Sequence, residues 1–259
     1  MTPATALHRW GAGAPVILLH GWTMTGDIWG PVAQRLEGAC YAPDLPGHGG
    51  TTGYEPSVEG GVAQLRDLID DHGLHGATLV GWSLGALIGW SYLAQGGKGI
   101  ARMISLDMSP CPLPAPGWDF AMRGQTRDKA NRSARRFRQD WPASAHAIAQ
   151  GMFARPEGCP LMSLAKAETR IRAQDPEQMT RFWDSLTAVD LREQLSVIRQ
   201  PLLALHGAQS RVYPTATGHW IAQHSRLGRA LTLYSCGHAP NLEDPTTTAE
   251  VISHFQSTA

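Results

Sequence analysis

The chain is poor in cysteine. Four occur in 259 residues, and Cys40, Cys111, Cys159 and Cys236 form neither a CxxC pair nor a metal-ligand spacing with a histidine. That argues against a disulfide framework or a zinc site and predicts free thiols in a reducing compartment. Charge is also scarce. Charged residues make up 17%, and 22 Lys+Arg balance 22 Asp+Glu to a formal net charge of zero. A neutral chain has no overall electrostatic hold on nucleic acid, so no such partner is expected, and a charge-driven partner must use a local patch. Long apolar runs are missing. The longest near the N-terminus, Pro15 to Leu19, is far too short to span a bilayer. The first ten residues show no charged segment leading into the apolar core of a secretory signal. The expectation is a cytoplasmic protein without a membrane partner. No repeat of 20–50 residues is visible either. What the chain does have is 42% hydrophobic residues, enough for a sizeable core at this length.

Strand-like and helical runs alternate. Val16–Leu19, Cys40–Pro43, Ala77–Val80 and Met103–Leu106 are short apolar runs that predict buried strands, followed late in the chain by Leu202–Leu205 and Leu231–Leu233. Helical spacing falls over Pro31–Leu36, Val58–Asp71, Leu84–Ala94 and Thr246–Phe255. Such alternation predicts a mostly parallel sheet covered by helices on both faces. The rhythm breaks between 113 and 185, which opens on Pro112, Pro114 and Pro116 and then becomes helical and charged, with no strand-like run. A helical lid over 113–185, inserted into a core of 1–112 and 186–259, is the simplest organisation.

Gly81-Trp82-Ser83-Leu84-Gly85 matches G-x-S-x-G, with an apolar strand before it and a helix after it. The pattern has a steric reason. The serine sits on a sharp strand-to-helix turn, and side chains at the two glycines would strike the neighbouring strand and helix. This predicts an α/β-hydrolase fold with Ser83 as nucleophile. Acyl transfer also needs donors aimed at the developing oxyanion. The N–H of Leu84 is one, and the loop His20-Gly21-Trp22 after the first strand offers the N–H of Trp22. His20 itself reads as a structural loop histidine. Among eleven histidines, His238 lies just past the last strand, in Cys236-Gly237-His238-Ala239-Pro240, where the base of this fold falls. His48, His206 and His219 read as hydrogen-bonded structural residues.

The acid departs from the pattern. It usually follows the strand Leu202–Leu205, and most relatives have Asp where this chain has Ser210. A serine hydroxyl cannot stabilise an imidazolium as a carboxylate does. Asp107, at the end of Met103–Leu106 and therefore at the carboxyl edge of the sheet, is the expected substitute. Glu243 and Asp244 follow His238 too closely to serve and read as supports of its loop. Ser210 itself is expected to contribute almost nothing.

The segments Leu18-Leu19-His20-Gly21-Trp22, Asp44-Leu45-Pro46-Gly47, the elbow around Ser83, Ser109-Pro110-Cys111, Val189-Asp190-Leu191-Arg192 and His238-Ala239-Pro240 together resemble the biotin-pathway carboxylesterases, which cleave the methyl ester of pimeloyl-acyl carrier protein. The likeness runs through nearly the whole chain and is weakest between 113 and 185. It implies a serine carboxylesterase that needs no metal or organic cofactor. By the match to Asn131-Arg132-Ser133-Ala134-Arg135-Arg136-Phe137, it implies that Arg132 and Arg136 grip an acyl carrier protein and that Phe137 lines the acyl channel. Trp22, Trp82, Leu84 and Phe137 would form the apolar substrate site. Charge points the same way. From Arg123 to Arg138 six arginines and Lys129 face only Asp128, so seven minus one leaves a local +6 in a neutral protein. Such a patch suits an acidic partner, although a charge run is also the ordinary make-up of a solvated helix face. Two rivals stand beside this reading: a small-ester or lactone hydrolase that uses no carrier, and a ligand-binding homologue that has lost catalysis.

Overall fold

The computed structural model describes residues 2–259; Met1, where the expected core range begins, lies outside the described residues. The sheet starts with β1 (Leu7–Trp10), β2 (Pro15–Leu19), β3 (Ala39–Pro43), β4 (Ala77–Trp82) and β5 (Ile100–Leu106). Between them lie the short α1 (Gly30–Ala33), α2 (Val58–His72) and α3 (Leu84–Ala94). After β5 come α4 (Arg127–Gln139), α5 (Trp141–Met152), the two-residue strands β6 (Gly158–Cys159) and β7 (Met162–Ser163), α6 (Leu164–Arg172) and α7 (Pro176–Ala188). The chain returns to the sheet with β8 (Leu202–Gly207), α8 (Ala216–His224) and β9 (Gly228–Leu233), then ends in α9 (Pro240–Glu243) and α10 (Pro245–Thr258).

The main sheet has seven strands in the order β1-β3-β2-β4-β5-β8-β9. Only β1 runs antiparallel, on the outer edge of β3. The order reverses between β2 and β4: β3 lies on one side of β2, and the chain then crosses back to the other. In open α/β sheets ligands bind at the carboxyl ends of the strands at such a reversal. Here that crevice lies between the loop after β2, which carries Trp22, and the turn after β4, which carries Ser83.

The central elements form because their sequences are apolar on every side. All six residues of β4 are buried, as a strand covered on both faces requires. In α3 every residue from Leu84 to Leu93 is buried, so this helix lies inside the molecule rather than on it. Outer helices show one apolar face and specific end signals. Ser57 Oγ accepts from Gly60 N at 3.0 Å to start α2, and Gly73, with φ 60°, ends it in the left-handed conformation that glycine tolerates. Thr126 Oγ1 accepts from Lys129 N at 3.2 Å to start α4, whose buried face is Ala130, Ala134 and Phe137 while its arginines point outward.

Several elements, α9 among them, have no counterpart in the sequence reading. β1 is an edge strand, half-buried and mixed in polarity, so it shows no apolar run. The β6–β7 ladder stands in the stretch where no strand is predicted; two residues per strand are too few to show a period. α8 buries only Thr217, Gly218 and Ile221, too thin a face to read as helical. α7 also runs to Ala188, beyond the expected boundary at 185. All four cysteines are free. Among the described residues no helix is long and apolar enough to cross a membrane.

Candidate active site

Ser83 sits between β4 and α3 with φ 52° and ψ −115°, a backbone conformation that a residue bearing a Cβ rarely adopts. The turn is so tight because both flanks are glycine. A Cβ on Gly81 would strike the backbone of Gly85 and Ala86, and one on Gly85 would strike the carbonyl of Leu19 in β2. The turn thus holds the Ser83 hydroxyl up at the end of the sheet.

Two further strand ends bring their residues to it. His238 Nε2 lies 3.1 Å from Ser83 Oγ, and His238 Nδ1 lies 2.6 Å from Asp107 Oδ2. Asp107, directly after β5, is completely buried, and His238 is nearly so. The carboxylate reaches the imidazole on the side away from Ser83. Asp107 has φ 44°, a second strained residue at the same strand edge. Its Oδ1 accepts from Gly207 N at 3.2 Å, and its Oδ2 also accepts from the Ser210 hydroxyl at 2.7 Å. Glu243 holds the loop of His238 from the far side. Its Oε1 accepts from Gly237 N at 2.8 Å and Ala239 N at 3.2 Å, while its Oε2 accepts from Ala154 N at 2.8 Å. Burial raises the Glu243 pKa against these lowering bonds. Trp82 adds a further hold, donating from Nε1 to the His238 carbonyl at 2.6 Å.

A cavity of about 320 Å³ opens from Ser83 and His238. Trp22, Trp82, Leu84 and Phe137 all line it, and Arg136 joins them from α4. Arg132 is exposed on the same helix but does not line the cavity. One side of the wall is an aromatic cluster: the Trp22 ring lies 5.3 Å from Phe137 and 5.1 Å from Trp183, centroid to centroid. Trp22 Nε1 donates to the Met179 carbonyl in α7 at 3.1 Å, tying the loop after β2 to the helices between β5 and β8. Leu84 is the first residue of α3, so its N–H has no partner within the helix. The N–H of Trp22 donates to no protein acceptor among the described residues.

Residues 16–251 match the model of the alpha/beta hydrolase family. The chain belongs to that family. A pimeloyl-[acyl-carrier protein] methyl ester esterase of Aromatoleum aromaticum is 28% identical over 250 residues, covering 92% of this chain and 96% of that protein. One of the same description from Nitrosomonas europaea is 26% identical over 238 residues, covering 91% of this chain and 92% of that protein. Among solved structures, an esterase from Exiguobacterium antarcticum superposes with a TM-score of 0.90 at 20% identity, covering 98% of this chain and 96% of that one, a likeness of fold.

Within this alpha/beta hydrolase chain the sequence reading missed several residues of the site. Met122, Trp183, Leu186 and Tyr213 line the cavity from segments that carry no recognisable motif. Ser210, expected to be inert, bonds the buried carboxylate directly. His206, expected to be hydrogen-bonded, is buried with no partner for either ring nitrogen among the described residues.

His20 and His48 hold the loop of Trp22. His20 Nε2 accepts from Leu45 N at 2.8 Å, and His48 Nε2 accepts from Thr23 N at 3.1 Å. Desolvation lowers the first to about 4 and the second to about 3, so both rings are neutral and accept through Nε2. In the unfolded chain both would protonate near 6.5. The unfolded state therefore binds more protons than the folded state across that interval, and stability falls as pH drops from about 6.5 toward 4. His20 alone accounts for roughly 3 kcal/mol once both limits are passed. The midpoint of thermal unfolding is expected to decline over this range, and more shallowly in His48→Gln, whose amide oxygen still accepts from Thr23 N. An unchanged slope in that variant would refute the neutral assignment of His48.

Proposed function

We propose that this chain hydrolyses a carboxylic ester through a covalent acyl-enzyme on Ser83, and that its substrate is the methyl ester of pimeloyl-acyl carrier protein in biotin synthesis. The reading rests above all on one observation: an unbroken hydrogen-bonded chain, Ser83–His238–Asp107, opening into an apolar cavity. Ser83 Oγ attacks the ester carbonyl as His238 Nε2 takes its proton. The N–H groups of Trp22 and Leu84 receive the oxyanion. Asp107 keeps the Nδ1 proton in place and stabilises the imidazolium. The imidazolium gives its proton to the departing methoxide, which leaves as methanol. Water then loses a proton to His238, attacks the acyl-enzyme, and the free acid departs as Ser83 regains its proton. The aromatic wall of Trp22 and Phe137 receives the acyl chain.

Residues 113–185 serve as a lid, with a carrier protein docking on α4. Of the seven basic residues from Arg123 to Arg138, only Arg138 forms an ion pair among the described residues, with Glu177 at 2.7 Å. The free cations suit the acidic surface of an acyl carrier protein, and the cavity-lining Arg136 joins that surface to the acyl channel. Reversing Arg132 and Arg136 to Glu is expected to lower kcat/KM on a carrier-linked ester by about tenfold or more and to flatten its salt dependence, because rim charges act on encounter. Activity on a small soluble methyl ester should stay within about twofold in Arg132→Glu alone, since Arg132 lies outside the cavity lining. Equal losses on both substrates would mean that these arginines support the pocket and not a partner.

The direct test compares methyl pimeloyl-carrier conjugate with dimethyl pimelate and shorter methyl esters. The reading expects the carrier conjugate to be hydrolysed with the highest kcat/KM by at least about one order of magnitude, the scale of electrostatically steered encounter. A preference for small esters or lactones would keep the ester hydrolase and overturn the carrier.

A further inference from the structure

Ser210 stands in the loop after β8, where the acid is expected from the sequence, and its surroundings account for what it does instead. A serine hydroxyl has two acceptor lone pairs and one proton. Both acceptor sites are taken: Val212 N and Tyr213 N each donate to Ser210 Oγ at 3.2 Å. The proton has one remaining direction, Asp107 Oδ2 at 2.7 Å. The loop after β8 therefore fixes the hydroxyl as a donor. Asp107 receives three donors in all: Gly207 N on Oδ1, then Ser210 Oγ and His238 Nδ1 together on Oδ2. Two of the three come from the single segment that ends β8. That segment cannot shift easily, since a Cβ on Gly207 would already strike the Gly237 carbonyl in the loop of His238. Asp107 itself is completely buried, so its carboxylate relies on donors from the protein.

From this we infer that Ser210 is a positioning residue of the proposed triad: its hydroxyl aims the Asp107 carboxylate at His238 Nδ1. The inference rests on the reading of Ser83, His238 and Asp107 given above. The place of the usual acid is thus kept in use, by a group that donates to the relocated carboxylate where an acid there would have accepted from the histidine. Without the hydroxyl, a completely buried carboxylate loses one of three donors. It then either takes up a proton more readily or turns more of its charge on the imidazole, which binds its proton more tightly. Both changes move the acidic limb of the rate profile to higher pH.

The test follows hydrolysis of a soluble methyl ester against pH for wild type, Ser210→Ala, Ser210→Cys, Ser210→Thr and Asp107→Asn. Loss of a hydrogen bond to a charged group predicts a fall in kcat of roughly 10- to 100-fold in Ser210→Ala, with KM within about twofold. The acidic limb of kcat/KM should move to higher pH, and Ser210→Thr should return both quantities close to wild type. Ser210→Cys keeps the volume with a weak donor and should behave like Ser210→Ala, which covers the case of an alanine variant that does not fold. In the Asp107→Asn background, Ser210→Ala should cost little more, because the two side chains act as one unit. If Ser210→Ala or Ser210→Cys turns over like wild type with an unmoved acidic limb, or if its loss multiplies fully with that of Asp107→Asn, the positioning role is wrong. Full activity in Asp107→Asn instead overturns the triad reading itself, a separate outcome read from a separate variant.

Discussion

Ser83→Ala is expected to abolish turnover of methyl esters, lowering kcat by about 10⁴- to 10⁶-fold, the range seen when a triad serine is removed from other hydrolases. Covalent labelling by a fluorophosphonate probe should vanish with it, since among the described residues no other hydroxyl is hydrogen-bonded to His238 Nε2. The fold should be untouched. Ser83 makes no capping bond to α3, so the hydroxyl is not holding the helix in place. Its φ of 52° persists in the alanine variant, and with it the strain. Ser83→Gly offers a sharper contrast. Glycine adopts positive φ without a Cβ penalty, so that variant should be equally inactive but slightly more stable than wild type in thermal unfolding. Residual turnover near wild type in either variant, with labelling intact, would move the nucleophile elsewhere. A glycine variant less stable than the alanine variant would deny the strain at this turn.

The parts of this site that are legible in the sequence are those held by local sterics and chain order. The elbow announces itself because only glycine fits at positions 81 and 85, and that constraint sits within five consecutive residues. The place of His238 follows from a tight Gly-His-Ala-Pro loop after the last strand. Asp107 is legible by a subtler route: a carboxylate at the edge of the sheet, in a chain that lacks one at position 210. What Ser210 does is not legible. Its role depends on two backbone N–H groups occupying its oxygen and on a carboxylate 103 positions earlier in the chain, and no spacing or periodicity encodes that arrangement. The same holds for the cavity wall, where Trp183 and Phe137 meet Trp22 only because α4 and α7 fold back over the sheet. The fold follows a similar division. Buried strands such as β4 and the buried α3 declare themselves by sequence that is apolar but for Thr78 and Ser91, whereas the half-buried edge strand β1 and the thin-faced α8 do not.

Asp107→Asn carries the second large effect. An amide in place of the carboxylate keeps the shape of the side chain but presents either a donor to His238 Nδ1 or a weaker, neutral acceptor. The first choice reverses the hydrogen bond and selects the tautomer with Nδ1 unprotonated, which leaves Nε2 unable to take the Ser83 proton. In other hydrolases with this constellation the change costs about 10⁴ in turnover with the geometry intact. The same order of loss is expected here, with KM nearly unchanged, because Asp107 is buried behind the imidazole and outside the cavity lining. The position of Ser210 then offers a way back. Ser210 Oγ lies 2.7 Å from the carboxylate oxygen that contacts His238, in the loop after β8. Aspartate at 210 extends one atom beyond a serine hydroxyl and enters a place where Val212 N and Tyr213 N already donate, groups suited to a carboxylate. Combining Asp107→Asn with Ser210→Asp should therefore recover about 10- to 100-fold of the lost turnover, and the asparagine can donate to the new carboxylate where Ser210 formerly donated to the old one. Steady-state kinetics of the single and double variants on one methyl ester decide the matter. Turnover within about tenfold of wild type in Asp107→Asn would mean that His238 takes its orientation from another group. A double variant no faster than Asp107→Asn alone would leave Asp107 as the acid and show that the loop after β8 no longer admits one.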